Sequence, residues 1–442
     1  MSPFTPEHVE EWKSFGPKLK GKPTPEQQAA AQERKVKCTA MKKRLMAEVN
    51  DPAWTEKKIE KELDRLVEEA ENEAKQVPRP AYLDAPSGTR DFYPQEMQIR
   101  NWLFGHMRES AKAFGFSEYD APVLEHVQLY ERKAGEEIVG QMYAFHDKEG
   151  DYVTLRPEMT PTLARMVLNK TNLQTGEVRL PLPLKWFSIP QCWRFETTQR
   201  GRKREHYQWN MDIVGVEHVN AELELLAAAC DFFRRLDIGS DIVGIKVNSR
   251  AVLETLLAKY GIQKGTADSD GGDVFAKACV IIDKLDKIGG DAVVELLAEI
   301  KVSEESARAI LKALEAPSID ALAELIGTES ESINELKRLF ELSVDYGFSD
   351  YLIFDASVVR GLAYYTGIVW EAFDRRGELR AIMGGGRYDR LLELYGGETC
   401  QIPCVGFGFG DCVIMELLMD LNKMPDFSGQ GVDYVVCAFS AD

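Results

Sequence analysis

Residues Glu205–Val214 alternate without a break. On an extended chain His206, Gln208, Asn210 and Asp212 fall on one side, and Tyr207, Trp209, Met211 and Ile213 on the other. Such strict alternation reads as a strand with one face in a core and one face polar. The polar face carries four hydrogen-bonding side chains in a row, more than a solvated strand needs. Upstream, Trp193-Arg194-Phe195-Glu196 reads as a partner strand with Arg194 and Glu196 on one side. Between the two runs lies a basic loop, Arg200-Gly201-Arg202-Lys203-Arg204. A hairpin with a polar face and a cationic tip suits phosphate and a small polar ligand. An amphipathic hairpin with one wet face has the same spacing, and spacing alone does not choose between them.

The rest of the chain falls into blocks. Residues 1–76 read as an N-terminal helical extension: Pro23 and Pro25 lead into a long stretch rich in Ala, Glu, Lys and Arg. Val77-Pro78-Arg79-Pro80 reads as a linker. Residues 82–244 are rich in aromatics. Ile99, Leu103, Met107, Ala111 and Phe114 recur at helical spacing, which predicts a helix with one buried face. Gly115 can end it, and Glu118 to Pro122 then reads as a strand. Residues 245–345 change texture and predict a small helical insertion, with helices over 291–300 and 304–314. Over 346–425, strand patterns return at 351–355, 368–373 and 405–410, with helices near 388–395 and 411–421. The run Val432 to Phe439 reads as one strand at the start of a truncated further domain (432–442), since a lone strand cannot bury its faces.

Composition narrows the class. At 442 residues the chain is long enough for two to four domains. No apolar run reaches the ~20 residues of a membrane span, and the first 22 residues lack the apolar stretch of a secretory signal. A cytoplasmic protein that binds no membrane is expected, with a mitochondrial pool left open. The eight cysteines form no C-x-x-C pair and the histidines form no H-E-x-x-H, so free thiols and no protein-fixed metal are expected. A net charge of -18 argues against a general nucleic-acid binder. The basic run from Lys13 to Arg44 and the acidic one after Glu48 read first as solvated helix faces.

Several of these segments together resemble the histidyl-tRNA synthetases, a class II aminoacyl-tRNA synthetase family. Arg194 to Arg202 resembles class II motif 2. Gly88-Thr89-Arg90-Asp91, followed by the helix and Pro122, resembles motif 1. Thr154-Leu155-Arg156-Pro157-Glu158-Met159-Thr160 resembles the signature after motif 1, and Arg360-Gly361-Leu362-Ala363-Tyr364-Tyr365 the histidine-specific motif. Gly384 to Asp389 and Val405 to Gly410 resemble the glycine-rich and motif 3 regions. The match runs in family order over about residues 83–425.

The resemblance implies an α+β fold: a class II catalytic core with an antiparallel sheet flanked by helices, a helical insertion domain and an N-terminal helical extension. It implies a homodimer joined through the motif 1 region. It implies a histidine–tRNA ligase that uses ATP as substrate, with Mg²⁺, to make histidyl-adenylate and then charge tRNA(His). Histidine binding is implied for Glu158, Met159, Thr160, Arg194, Gln208, Asp212, Arg360, Tyr364 and Tyr365. ATP binding is implied for Arg194, Glu196, Arg202 and His206. Arg194 and Arg360 are the catalytic candidates, as guanidinium groups that stabilise charge growing on the α-phosphate. Without the motif, core packing is the preferred reading of the two tyrosines, and a surface ion pair that of Arg360.

The sequence departs from the family pattern in three places. Ala363 stands where Asp is usual, and Met159 where Gly is frequent. Val413 occupies the motif 3 position normally held by an arginine on ATP. This last change leaves room for a non-catalytic paralogue that binds histidine as a sensor or regulatory subunit. A core specific for another amino acid is disfavoured by Arg360 to Tyr365.

Overall fold

The computed structural model describes residues 2–15, 25–75, 80–131, 136–266, 273–327, 330–358 and 365–427. Arg360, Tyr364, Cys437 and the strand expected over 432–439 lie outside them. The chain divides into two compact units, Met1–Ala85 and Pro86–Asp442.

The first unit contains helices Pro6–Ser14, Pro25–Val49 and Glu56–Lys75. Thr5 starts the first: its hydroxyl accepts from the His8 amide, and the His8 ring accepts in return from the Thr5 amide. The extension is more than exposed helix. Phe4, Trp12, Cys38, Met41, Leu45, Ile59 and Leu63 bury one another in a small core, and the Trp12 indole donates to Asp64 at 2.8 Å. Part of the basic run is answered locally, by Lys42–Glu60 at 2.8 Å and Arg44–Glu11 at 2.5 Å. That fits the solvated-face reading.

The second unit is built on a large sheet. Its strands in chain order are β1 (Ser117–Glu118), β2 (Leu184–Ser188), β3 (Gln191–Trp193), β4 (Glu205–Val214), β5 (Val243–Ser249), β6 (Leu352–Phe354), β7 (Ile368–Asp374), β8 (Met383–Arg387) and β9 (Cys404–Gly410). They lie in the order β1-β2-β4-β9-β8-β7-β5-β6, with β3 pairing the outer part of β4. Only the two rim pairings, β1–β2 and β5–β6, are parallel. A three-stranded antiparallel sheet (Leu124–His126, Tyr143–His146, Tyr152–Leu155) stands separately.

The alternation in β4 resolves as expected. Trp209, Met211 and Ile213 enter the main core, together with Val405, Phe407 and Phe409 of β9 and Ile368, Trp370 and Ala372 of β7. Helices Pro94–Ala113, Asn220–Arg235 and Asp411–Asp420 cover this face, contributing Leu103, Met107, Phe232, Ile414 and Leu417 among others. Each such fully buried side chain contributes roughly 1.5–3 kcal/mol. A second, helical core lies between β5 and β6 in the chain. It is formed by helices such as Arg250–Lys259, Gly290–Glu299 and Glu304–Leu314 around Leu257, Val293, Leu297 and Ile310. The opposite face of the sheet is only partly covered. Leu163 and Val167, Leu184, Val369, Tyr388 and Leu391 form a smaller core there, and the polar row of β4 runs beside it.

Two elements are shorter than the sequence suggests. β1 ends at Glu118; the Tyr119 amide still reaches the Phe187 carbonyl at 2.9 Å before the chain leaves towards Pro122. β3 ends at Trp193, because the Phe195 amide turns away to the Gln141 carbonyl at 2.7 Å. Arg194 and Glu196 therefore do not share a strand face.

Candidate active site

The polar face of β4 opens into a cavity of about 190 Å³. It is lined by Glu158, Thr160, Arg194, Gln208, Asn210 and Tyr365, with Tyr388, Phe407 and the glycines 384, 406 and 408. β4 supplies Gln208 and Asn210. Thr160 opens the helix Thr160–Leu168, and Glu158 precedes it in the turn after strand Tyr152–Leu155. Tyr365 leads into β7.

Glycine makes the floor. A Cβ on Gly408 would stand 1.9 Å from the Gln208 amide nitrogen, and one on Gly406 would stand 2.1 Å from Asp212 Oδ1. No side-chain adjustment at those distances leaves the polar groups in place. The glycines let Gln208 and Asp212 lie flat across β9, which a strand of ordinary residues would prevent.

The polar atoms are mostly acceptors. Glu158 Oε1, Gln208 Oε1, Asn210 Oδ1 and Asp212 Oδ2 are buried, and have no hydrogen-bond partner among the described residues. A buried acceptor left unpaired costs about 1–3 kcal/mol, so several around one cavity call for a ligand rich in N–H groups. Asp212 is 1% exposed and lies against the cavity wall, where it accepts the Tyr388 hydroxyl. Burial drives its carboxyl up to about 7, partly offset by that hydrogen bond. Burial also raises Glu158, against the opposing pull of Arg194, whose guanidinium is 3.8 Å away.

The cations lie at the mouth. Arg194 is braced by its own Nε, which donates to the Pro157 carbonyl at 2.9 Å, and by its amide, which donates to the Arg204 carbonyl at 2.8 Å. Glu196 closes onto Arg202 in a two-pronged ion pair. Arg204 lies over the Phe195 ring at 4.0 Å and donates to the Ser87 carbonyl at 3.2 Å. His206, opposite Cys192 on β3, is held neutral: burial, then Arg194, Arg90 and Arg202, lower it to about 3.

Among the expected site residues, Glu158, Thr160, Arg194, Gln208 and Tyr365 thus share one cavity, with Asp212 against its wall. Glu196, Arg202 and His206 lie outside that cavity. Met159 is fully buried, its sulfur 3.8 Å from Arg156, and does not line it. Arg360 and Tyr364 fall outside the described residues. Asn210 and Tyr388 are additions. Asn210 stood on the polar face of the alternating run, so its signal was present. Tyr388 follows β8 in a turn and meets Asp212 from 176 positions away, a tertiary contact with no periodic mark. Val413 is a core residue, 7% exposed, and packs where a Cβ on Gly201 would touch it at 3.2 Å.

An antiparallel sheet that carries an amino-acid-sized polar cavity on a glycine floor, with arginines at its mouth, defines a class II aminoacyl-tRNA synthetase. The family model described as "Histidyl-tRNA synthetase" matches residues 88–410. The chain belongs to the histidyl-tRNA synthetase family. It is 50% identical over 360 residues to the chloroplastic/mitochondrial histidine–tRNA ligase of Arabidopsis thaliana, covering 81% of this chain and 71% of that one. It is 38% identical over 350 residues to the histidine–tRNA ligase of Leptospira biflexa, covering 79% and 77%. A solved ATP phosphoribosyltransferase regulatory subunit/histidyl-tRNA synthetase from Bacillus halodurans C superposes with a TM-score of 0.62 at 21% identity, over 79% of this chain and 85% of that one. At that identity the likeness speaks for the fold alone.

Proposed function

We propose that this chain activates histidine with ATP and transfers it to the 3′ end of tRNA(His). The histidine carboxylate attacks the α-phosphorus of ATP. A carboxyl O–P bond forms, the bond to the β-phosphate bridging oxygen breaks, and diphosphate leaves. The attacking carboxylate is already ionised, so no base is needed. In transfer, a ribose hydroxyl of the tRNA displaces AMP from the acyl carbon.

The observation that carries this reading is the set of unpartnered buried acceptors around one small cavity. Glu158 takes the α-ammonium, with Thr160 beside it. Gln208 and Asp212 take the imidazole end, and Asp212 fixes its tautomer. Tyr365 and Tyr364 wall the pocket, and Met159 supports it from beneath. Arg194, at the mouth, and Arg360 stabilise the charge growing on the α-phosphate. Glu196, Arg202 and His206 serve the nucleotide, the neutral His206 ring as a stacking surface for adenine. Mg²⁺ takes one or two carboxylates and leaves its other positions to phosphate and water. When bound it supplies positive charge to the phosphates.

A homodimer is part of the proposal. Leu124 and Phe145 are 42% and 46% exposed on one face of the three-stranded sheet, which a second copy would cover. Residence in the cytoplasm is the expectation from the sequence, and the organellar plant relative supports an organelle pool beside it. Val413 is the observation on the side of a non-catalytic histidine sensor; the relatives at 50% and 38% identity are ligases. The test is ATP–pyrophosphate exchange. Exchange that depends on histidine, and on no other amino acid, is expected. Histidine binding without exchange would replace this reading with the sensor.

A further inference from the structure

A triphosphate brings several negative charges to the mouth of the site, yet most guanidinium groups there are already committed. Arg200 pairs with Glu416 at 3.0 Å and Asp420 at 2.5 Å. Arg202 is closed onto Glu196. Arg204 is spent on backbone carbonyls and the Phe195 ring. Arg90 is shared between Glu205 at 2.7 Å and Asp411 at 2.9 Å. Lys203 lines a different cavity, beside Arg100 and Met415.

Arg380 differs from all of these. It precedes β8, and the sheet register fixes where it emerges. Met383 pairs with Phe409, and the Gly410 amide donates to the Ile382 carbonyl at 3.3 Å. Gly410 in turn pairs with Gln208. Arg380 therefore leaves the sheet at the end where β4 begins and the 194–204 loop emerges. Its side chain is accessible to solvent and, among the described residues, has neither a hydrogen bond nor an ion pair. Its nearest charges are Arg202, Glu196 and Glu371; burial and the like charge of Arg202 make it a weaker base than a free guanidinium. The like charge of Arg202 acts on Arg380, which holds no carboxylate in an ion pair among the described residues, and an anion that reaches both guanidinium groups relieves that repulsion.

We propose that Arg380 binds the outer phosphates of ATP, beyond the Arg202–Glu196 pair. This rests on the reading of the cavity as the histidine-activation site. Arg194 stands at the cavity itself, where the α-phosphate reacts, and Arg380 stands farther out, where the β- and γ-phosphates extend. Val413, buried under the loop, offers that region no charge.

The experiment compares ATP and AMP binding, with exchange kinetics alongside, for the full chain and for Arg380→Ala and Arg380→Lys. The alanine variant is expected to weaken ATP by roughly 10-fold or more, to leave AMP within about 2-fold, and to leave the KM for histidine unchanged. Lysine should restore part of the loss, since it keeps the charge but not the fork. Unchanged ATP affinity in Arg380→Ala would overturn the proposal, as would an equal loss for ATP and AMP. If the unaltered chain supports no histidine-dependent exchange, the cavity assignment fails instead, and the two failures are told apart by that control.

Discussion

At the scale of single residues, the site depends on acceptors placed where a chain would ordinarily avoid them. Asp212 shows how this becomes a property that can be measured. Burial holds its carboxyl at about 7, so it is protonated below that pH and ionised above it. Only the ionised form offers both oxygens as acceptors, one to Tyr388 and one to an imidazole N–H. The KM for histidine is therefore expected to fall as pH rises from about 6 to about 8. Free histidine loses its own imidazole proton over a similar range, near 6.5, so the substrate contributes a slope of its own. Asp212→Asn separates the two, because an amide does not titrate. The variant should bind histidine more weakly and show a flatter pH profile. If wild type and variant rise and fall in parallel, Asp212 is not the titrating group.

At the scale of elements, one ion network fastens three segments that are far apart in sequence. Asp411 opens the helix Asp411–Asp420. Its Oδ1 accepts the Tyr207 amide of β4 at 2.9 Å, and its Oδ2 meets Arg90 at 2.9 Å. Arg90 also holds Glu205 at 2.7 Å. The Asp411 side chain is 4% exposed, so removing it leaves a guanidinium half paired and a β4 amide without its acceptor. Asp411→Ala should lower unfolding stability by roughly 3 kcal/mol; a loss under about 1 kcal/mol in urea titration would show the network to be dispensable. The elements most legible in the sequence were those with a strict period. β4 and the helix from Pro94 were visible because apolar spacing alone defines them, whereas the insertion helices showed as a change of texture rather than as a strict period. Where strands end was not legible. β3 stops at Trp193 because Phe195 finds Gln141, more than 50 positions upstream. No alternation marks the glycines of β8 as a strand, yet they form one, since their missing side chains make room for Trp370 and Tyr365. Likewise the basic loop announced cations, but not that Glu416 and Asp420 engage Arg200.

At the scale of the whole chain, the two units carry different burdens. Every site residue described lies between positions 158 and 408, and the family match begins at residue 88. The first unit, Met1–Ala85, has its own buried core, and its Trp12–Asp64 bond and Lys42–Glu60 pair are internal. Nothing in the proposed activation chemistry draws on it. Histidine activation and tRNA charging should therefore separate on deletion. A chain starting at Pro86 is expected to keep kcat and both KM values in pyrophosphate exchange within about 2-fold. A fall of 10-fold or more in exchange would show that the first unit supports the adenylation site. The same preparation assayed for charging of tRNA(His) asks a separate question. The basic helix Pro25–Val49 keeps lysines beyond those paired with Glu33 and Glu60, and their charge acts on a polyanion more than on a small substrate. A KM for tRNA that rises on deletion, more steeply at low salt than at high, would place the extension's work on tRNA; unchanged charging at every salt concentration would leave it without a part in either reaction.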